Sequence, residues 1–167
     1  WVRGEGVDMD LRLPKQPVSI AHLLTHMSGL TYGESLFPSD HPVDKLYGPL
    51  RDSQTSLTSF VNELSMIPLR FDPGTSWCYS LATDVCGALV EIISGQSLSE
   101  FLGERIFEPL DMSDTSFTIS DDKVPRFAAN YERDQDKNLV LIDDPVESIY
   151  ADGSRLQSGG GGLLSTT

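Results

Sequence analysis

Cysteine is scarce in this chain: 167 residues hold only Cys78 and Cys86. Two thiols cannot build a disulfide framework, and neither stands at the Cys or His spacing of a zinc site, so both read as small buried residues. Long apolar runs are also lacking, and none approaches the about 20 residues of a membrane-spanning helix. Basic residues are few, with 12 Lys and Arg against 25 Asp and Glu and a net charge of −13. Such a field repels phosphate backbones and anionic lipid, so neither nucleic acid nor a membrane surface is an expected partner. Several catalytic signatures are missing as well: no Gly-x-Ser-x-Gly elbow, no Walker A loop, no His-Glu-x-x-His and no Gly-x-Gly-x-x-Gly. The start at Trp1 carries no signal-peptide pattern, and the glycine run near the other end leads into what reads as a strand and a helix cap. Both ends are therefore expected to be cuts within a longer domain.

What is present is a 39% hydrophobic chain with clear periodicity. Ile20, Leu23, Leu24 and Met27 predict a helix over 19–27, with Ser19 as N-cap and Gly29 as its stop. Residues 31–53, rich in Pro, Gly, Ser and Asp, predict an irregular surface loop with at most a short helical turn. Leu57, Phe60, Val61 and Leu64 predict a second helix over 57–65, ended by Pro68. Asp72, Pro73 and Gly74 form a turn, and 75–79 is an extended link. A third helix over 80–94 carries Leu81, Val85, Leu89, Ile92 and Ile93 and stops at Gly95. Ser97 and Glu100 supply the capping box of a fourth helix over 98–107. Beyond Thr115, residues 128–132 and 138–142 predict a β-hairpin, and 151–158 a loop.

Few residues point to chemistry on their own. His22 and His26 stand four apart, a spacing that can place two imidazoles on one metal, but no carboxylate or thiol accompanies them. Packing or hydrogen bonding at the helix end is the better reading, and no metal is expected. Ser120 and Lys123 form a literal Ser-x-x-Lys. A working pair needs a sheltered lysine of lowered pKa, and Asp121 and Asp122 act the other way, so this match reads as a decoy. Gly159 to Gly162 lack the spacing of a dinucleotide fingerprint and read as backbone that approaches something closely. Tyr79 ends the extended link just before the third helix, where the positive end of the dipole favours a phenolate. A phenol ordinarily titrates near ~10, so a tyrosine that moves protons needs such help. Packing alone is the competing reading for Tyr79.

Taken together, five ordered segments resemble a known family. They are His22-Leu-Leu-Thr-His-Met-Ser-Gly-Leu30; Pro68-Leu69 with Phe71-Asp-Pro-Gly-Thr75; Tyr79-Ser-Leu-Ala-Thr-Asp84; Ile106-Phe-Glu-Pro-Leu-Asp-Met112 with Asp114, Thr115 and Phe117; and the run from Ser158 to Ser165. This pattern is similar to the middle of class C β-lactamase-related serine hydrolases, and most similar to family VIII carboxylesterases. The resemblance implies an α+β fold: mainly the helical domain of a β-lactamase/transpeptidase-like fold with a small hairpin portion, truncated at both ends. Residues 1–167 would form one partial domain, helical over about 18–117, with the hairpin and glycine-rich segment over about 124–167.

The resemblance also implies roles. Tyr79 matches the family's second proton-transfer residue. Leu81, Gly160 and Gly161 are candidates to line the substrate site, and segment 31–53 is expected to wall an acyl pocket. The family's nucleophilic Ser-x-x-Lys and its third motif fall outside these residues. Leu81 departs from the Tyr-x-Asn of true class C β-lactamases; it offers an apolar contact where asparagine hydrogen-bonds an amide, which tilts the reading from β-lactams or peptides towards esters. The expected partners are a small ester or amide substrate and the missing parts of the same domain, with no cofactor. Three alternatives stay open: a β-lactamase or D-amino-acid peptidase, a non-catalytic binding or sensor protein of the penicillin-binding fold, and a stand-alone helical interaction domain.

Overall fold

The computed structural model describes residues 2–3, 11–35, 38–48, 50, 55–151 and 153–166. Four helices surround the core: α1 (Ile20–Leu24), α2 (Leu57–Leu64), α3 (Ala82–Ser94) and α4 (Leu98–Leu102). α3 is the hub and packs against the other three. α2 buries Leu57, Phe60 and Leu64, the stripe its sequence spacing predicts, and the Ser56 side chain caps its start by accepting from the Ser59 N–H. Leu23, Leu30, Tyr32, Val43, Tyr47, Phe60, Leu69 and Leu81 share one apolar cluster. A second cluster joins Leu57, Ala88, Leu98 and Phe117.

α1 is shorter than its periodicity suggests. Ser19 caps it as expected, but the chain leaves the helix at Thr25, and His26, not Gly29, adopts the positive φ of 55° next to the end. The end is closed by a Schellman turn, in which Met27 N–H bonds to His22 O at 2.8 Å and His26 N–H to Leu23 O at 3.2 Å, and the carbonyls that follow find distant partners. His26 O accepts from Cys78 N–H at 2.9 Å, Met27 O from Gly74 N–H at 2.8 Å and Gly29 O from Arg70 N–H at 2.8 Å. These tertiary bonds satisfy carbonyls that lie beyond the helix. Of the predicted stripe only Leu23 is buried; Ile20 is 55% and Leu24 67% exposed.

Segment 31–53 also departs from expectation, because it is not a surface loop. A single 3-10 turn at Asp44–Leu46 sets Val43 and Tyr47 into the core at 0% and 3% exposure. Asp44 is buried beside them, paired with Arg70 at 3.1 Å and bonded by the Ser39 hydroxyl. Residues 36–37, 49 and 51–53 of the stretch lie outside the described residues.

α3 begins two residues later than predicted and stops at Gly95, which holds φ 73°. α4 has the predicted Ser97–Glu100 capping box, but the straight helix expected to 107 widens into a π turn over Gly103–Phe107. There Glu108 N–H bonds to Gly103 O and Met112 N–H to Phe107 O, both at five-residue spacing.

The predicted hairpin is present as β3 (Asn130–Arg133) and β4 (Leu139–Asp143), antiparallel, with Tyr131 opposite Leu141 and an irregularity at Asn130/Tyr131. Asp134 organises its turn, accepting from the backbone and side-chain N–H groups of Asn138 at 2.8 and 3.1 Å. A short ladder of β1 (Val2–Arg3) with β2 (Leu11–Arg12) was not legible in the sequence. Beside it, Arg12 grips Asp72 through two bonds of 3.1 and 2.7 Å, tying the start of the chain to the turn before Tyr79. The strand expected after the glycine run is a single bridge, Leu164 to Ser116. The stretch from Leu163 to Thr167, read as a strand and a helix cap, ends in Thr167, which lies outside the described residues.

Candidate active site

Tyr79 stands at the end of the irregular link, two residues short of the position that caps α3. Its ring is held from two sides. His26 lies 4.7 Å away between centroids, tilted by 54°, and Tyr32 lies 5.2 Å away, tilted by 34°. The residue remains 46% exposed, so the phenol is supported but open to solvent. Trp77, 65% exposed, meets the other side of the His26 ring edge-on at 6.2 Å.

The glycine run reaches this cluster through Tyr32. A Cβ placed on Gly160 would lie 3.3 Å from the Tyr32 hydroxyl and 2.8 Å from both Asp84 Oδ2 and Thr83 Oγ1. One residue earlier, a Cβ on Gly159 would fall 2.3 Å from the Thr83 carbonyl and 3.1 Å from the Gly87 Cα. Only glycine lets these backbones approach so closely. The Ser158 hydroxyl donates to the buried carboxylate of Asp84 and also accepts from Gly160 N–H at 3.1 Å. The run is therefore pinned to the first turn of α3, a few residues from Tyr79, whereas Gly161 faces open space.

Leu81 requires a correction. Expected to touch substrate, it is 3% exposed and its side chain belongs to the core cluster with Leu23 and Phe60. The chain turns into α3 at this position, which sends Leu81 inwards while Tyr79 stays at the surface. Of the two glycines, Gly160 packs close to the Tyr32 hydroxyl, whereas Gly161 meets nothing within 4 Å.

The two histidines do not converge. His22 Nδ1 accepts from Ser19 N–H at 3.2 Å within the α1 cap, and His26 Nδ1 is 3.3 Å from Ser80 Oγ. Among the described residues no group of three or more His, Cys, Asp or Glu is arranged to hold a metal ion. Ser120 and Lys123 are engaged separately. Lys123 Nζ donates to the Ser113 carbonyl at 2.6 Å and pairs with Asp114 at 3.2 Å, while the Ser120 hydroxyl bonds to Asp122 and lowers that carboxyl's pKa.

Environment separates the tyrosines of this region. Tyr47 accepts from Thr31 N–H at 3.2 Å deep in the core, and burial pushes its phenol well above the usual range, so it stays neutral. Asp72, held by the Arg12 guanidinium and by Lys15 N–H, has its carboxyl lowered to about 2. Burial pushes the Cys86 thiol up. Sequence reasoning missed Tyr32, Trp77, Asp84 and Ser158, which surround the site. The density of aromatics on both flanks of two glycine-marked turns was the available signal.

The family model described as Beta-lactamase matches residues 7–167, and the chain belongs to that family of hydrolases and acyltransferases. Its relatives include esterases and acyl-transferring enzymes. Esterase EstB from Burkholderia gladioli is 37% identical over 141 residues, which are 81% of this chain and 34% of EstB. Among solved structures, EstCE1, a hydrolase with promiscuous acyltransferase activity, matches with a TM-score of 0.73 and 29% identity, over 90% of this chain and 43% of its own. The unliganded selenomethionyl simvastatin synthase LovD from Aspergillus terreus matches with a TM-score of 0.72 and 30% identity, over 95% and 38% respectively. The fold is the β-lactamase/transpeptidase-like one, and this chain spans well under half the length of these relatives.

Proposed function

We propose that this chain supplies the proton-transfer tyrosine and part of the substrate cleft of a serine hydrolase that cleaves small esters through an acyl-enzyme. The nucleophilic serine and its lysine partner come from sequence beyond these residues. The serine oxygen attacks the ester carbonyl, the alkoxide leaves with a proton relayed by the lysine and Tyr79, and water then releases the acid and returns the proton to serine. The observation that carries this reading is the half-exposed Tyr79 phenol, braced by His26 and Tyr32 beside the pinned glycine run.

The test uses a protein of the relatives' length that contains this chain, with p-nitrophenyl butyrate as probe. Tyr79→Phe should lower turnover by about two orders of magnitude or more with an unchanged melting temperature. Wild-type turnover in that variant rules the assignment out. The similarity to LovD favours a second reading in which an alcohol, rather than water, accepts the acyl group. Adding an alcohol acceptor and measuring the ratio of new ester to free acid separates the two.

A further inference from the structure

Three non-glycine residues among those described carry positive φ: His26, Asp111 and Lys137. The last two are exposed, but His26 is half-buried beside Tyr79. A side chain in this backbone region is strained, and such strain persists only where surrounding contacts impose it.

Apart from the turn that closes α1 and the edge-on contact with Trp77, the contacts centre on Tyr79 and the residues on either side of it. The His26 carbonyl accepts the N–H of Cys78, the residue before Tyr79, at 2.9 Å. Its Nδ1 lies 3.3 Å from the hydroxyl of Ser80, the residue after Tyr79. Its ring packs on the Tyr79 ring itself, with centroids 4.7 Å apart. The same Ser80 hydroxyl accepts from Ala82 N–H at 3.4 Å, so the first turn of α3 shares the anchor. A glycine at position 26 would suit the backbone better, yet it would keep only the first of the three contacts.

We infer that His26 is a positioning residue for Tyr79: it fixes the depth and plane of the phenol by holding both neighbouring residues and the ring. This rests on the reading of Tyr79 as the proton-transfer group. Proton transfer tolerates little misplacement, and an error of about 1 Å in such a group can cost ~100-fold.

The experiment compares His26→Gly and His26→Asn, each alone and combined with Tyr79→Phe, in a protein of the relatives' length with p-nitrophenyl butyrate. Glycine relieves the backbone and deletes the ring; asparagine tolerates positive φ and keeps a hydrogen-bonding group near the Nδ1 position. His26→Gly should lower kcat by ~10- to 100-fold with KM within about threefold and a melting temperature no lower than wild type. His26→Asn should regain a large share of that loss, and with Tyr79→Phe present His26→Gly should cost less than about twofold more. If Tyr79→Phe is inactive while both His26 variants turn over at the wild-type rate, the positioning role is wrong and the catalytic reading stands. Equal losses from His26→Gly with and without the Tyr79 phenol also overturn it, since His26 would then act elsewhere. If Tyr79→Phe itself is fully active, the underlying reading fails first and takes this inference with it.

Discussion

The Ser158 hydroxyl donates to the buried carboxylate of Asp84, joining residues 74 apart in sequence and fastening the glycine run to the start of α3. Ser158 is 4% exposed and Asp84 fully buried, so the bond sits where water cannot replace it. Ser158→Ala should therefore destabilise the fold by about 1–3 kcal/mol, the cost of removing a partner from a buried polar group. Urea unfolding monitored by circular dichroism measures it. A midpoint unchanged from wild type would show that the joint holds without this bond.

Two neighbouring glycines should respond in opposite ways. Gly159→Ala places a methyl 2.3 Å from the Thr83 carbonyl and forces backbone to move, so a loss of about 1–3 kcal/mol is expected. Gly161→Ala meets nothing within 4 Å and should stay within about 0.5 kcal/mol of wild type. Equal stabilities for the two variants, by denaturant titration, would contradict the close approach of the run to α3.

The Arg12–Asp72 pair gives a pH dependence with a definite sign. Asp72 has its folded pKa lowered from 3.8 to about 2, so the pair's contribution is fully present above the unfolded pKa and is lost as pH falls through the folded value. Asp72→Asn should melt a few degrees lower than wild type at neutral pH. The difference should shrink between about pH 4 and pH 2 and vanish below that window. Melting curves across this range check it, and a gap that persists at the acid end points to a packing role.

Ser120 and Lys123 match a nucleophile motif in sequence only, and Lys123 is committed to Asp114 and to the Ser113 carbonyl. Ser120→Ala and Lys123→Met should leave ester turnover within about twofold of wild type in a protein of the relatives' length. A large loss in either variant would move the catalytic serine into this chain.

Helices α1 and α3 leave Ile20, Leu24 and Ile93 between 55% and 76% exposed around a trough that Leu89 and Phe101 also line, and Ile92, next to Ile93 in α3, is 72% exposed. A surface of this kind is unusual in a soluble monomer. The 167-residue chain by itself should bind the apolar dye ANS and self-associate, and Ile92→Lys with Ile93→Glu should reduce both. A monodisperse, dye-negative wild-type chain in analytical ultracentrifugation would count against an unpartnered face.

The parts of this fold that were legible in sequence are those governed by local rules. The Ser19 and Ser97 caps, the Gly95 stop, the α2 stripe and the β3–β4 hairpin follow from capping, periodicity and turn chemistry within a few residues. Where long-range partners decide, the sequence misleads. The residues after α1 turn their carbonyls to Arg70, Gly74 and Cys78, and Val43 and Tyr47 enter the core through a segment whose composition resembles a surface loop. The site divides in the same way. Tyr79 stood out through its place before a helix and its motif, whereas Tyr32, Asp84 and Ser158 became visible only once distant segments met. Leu81 was placed at the substrate by its match to the Tyr-x-Asn position, whereas its membership of the apolar stripe of the third helix already pointed into the core.

Gly87 and Gly159 meet main chain to main chain, with no side chain between α3 and the run that follows it. The clearance between Gly160 and the Tyr32–Tyr79 pair is consequently set by the thickness of bare peptide, a dimension that rotamer changes cannot adjust. A side chain at either glycine would push the run off α3, and with it carry Gly160 away from the Tyr32 hydroxyl, so the register of this joint is kept by atoms the sequence leaves out.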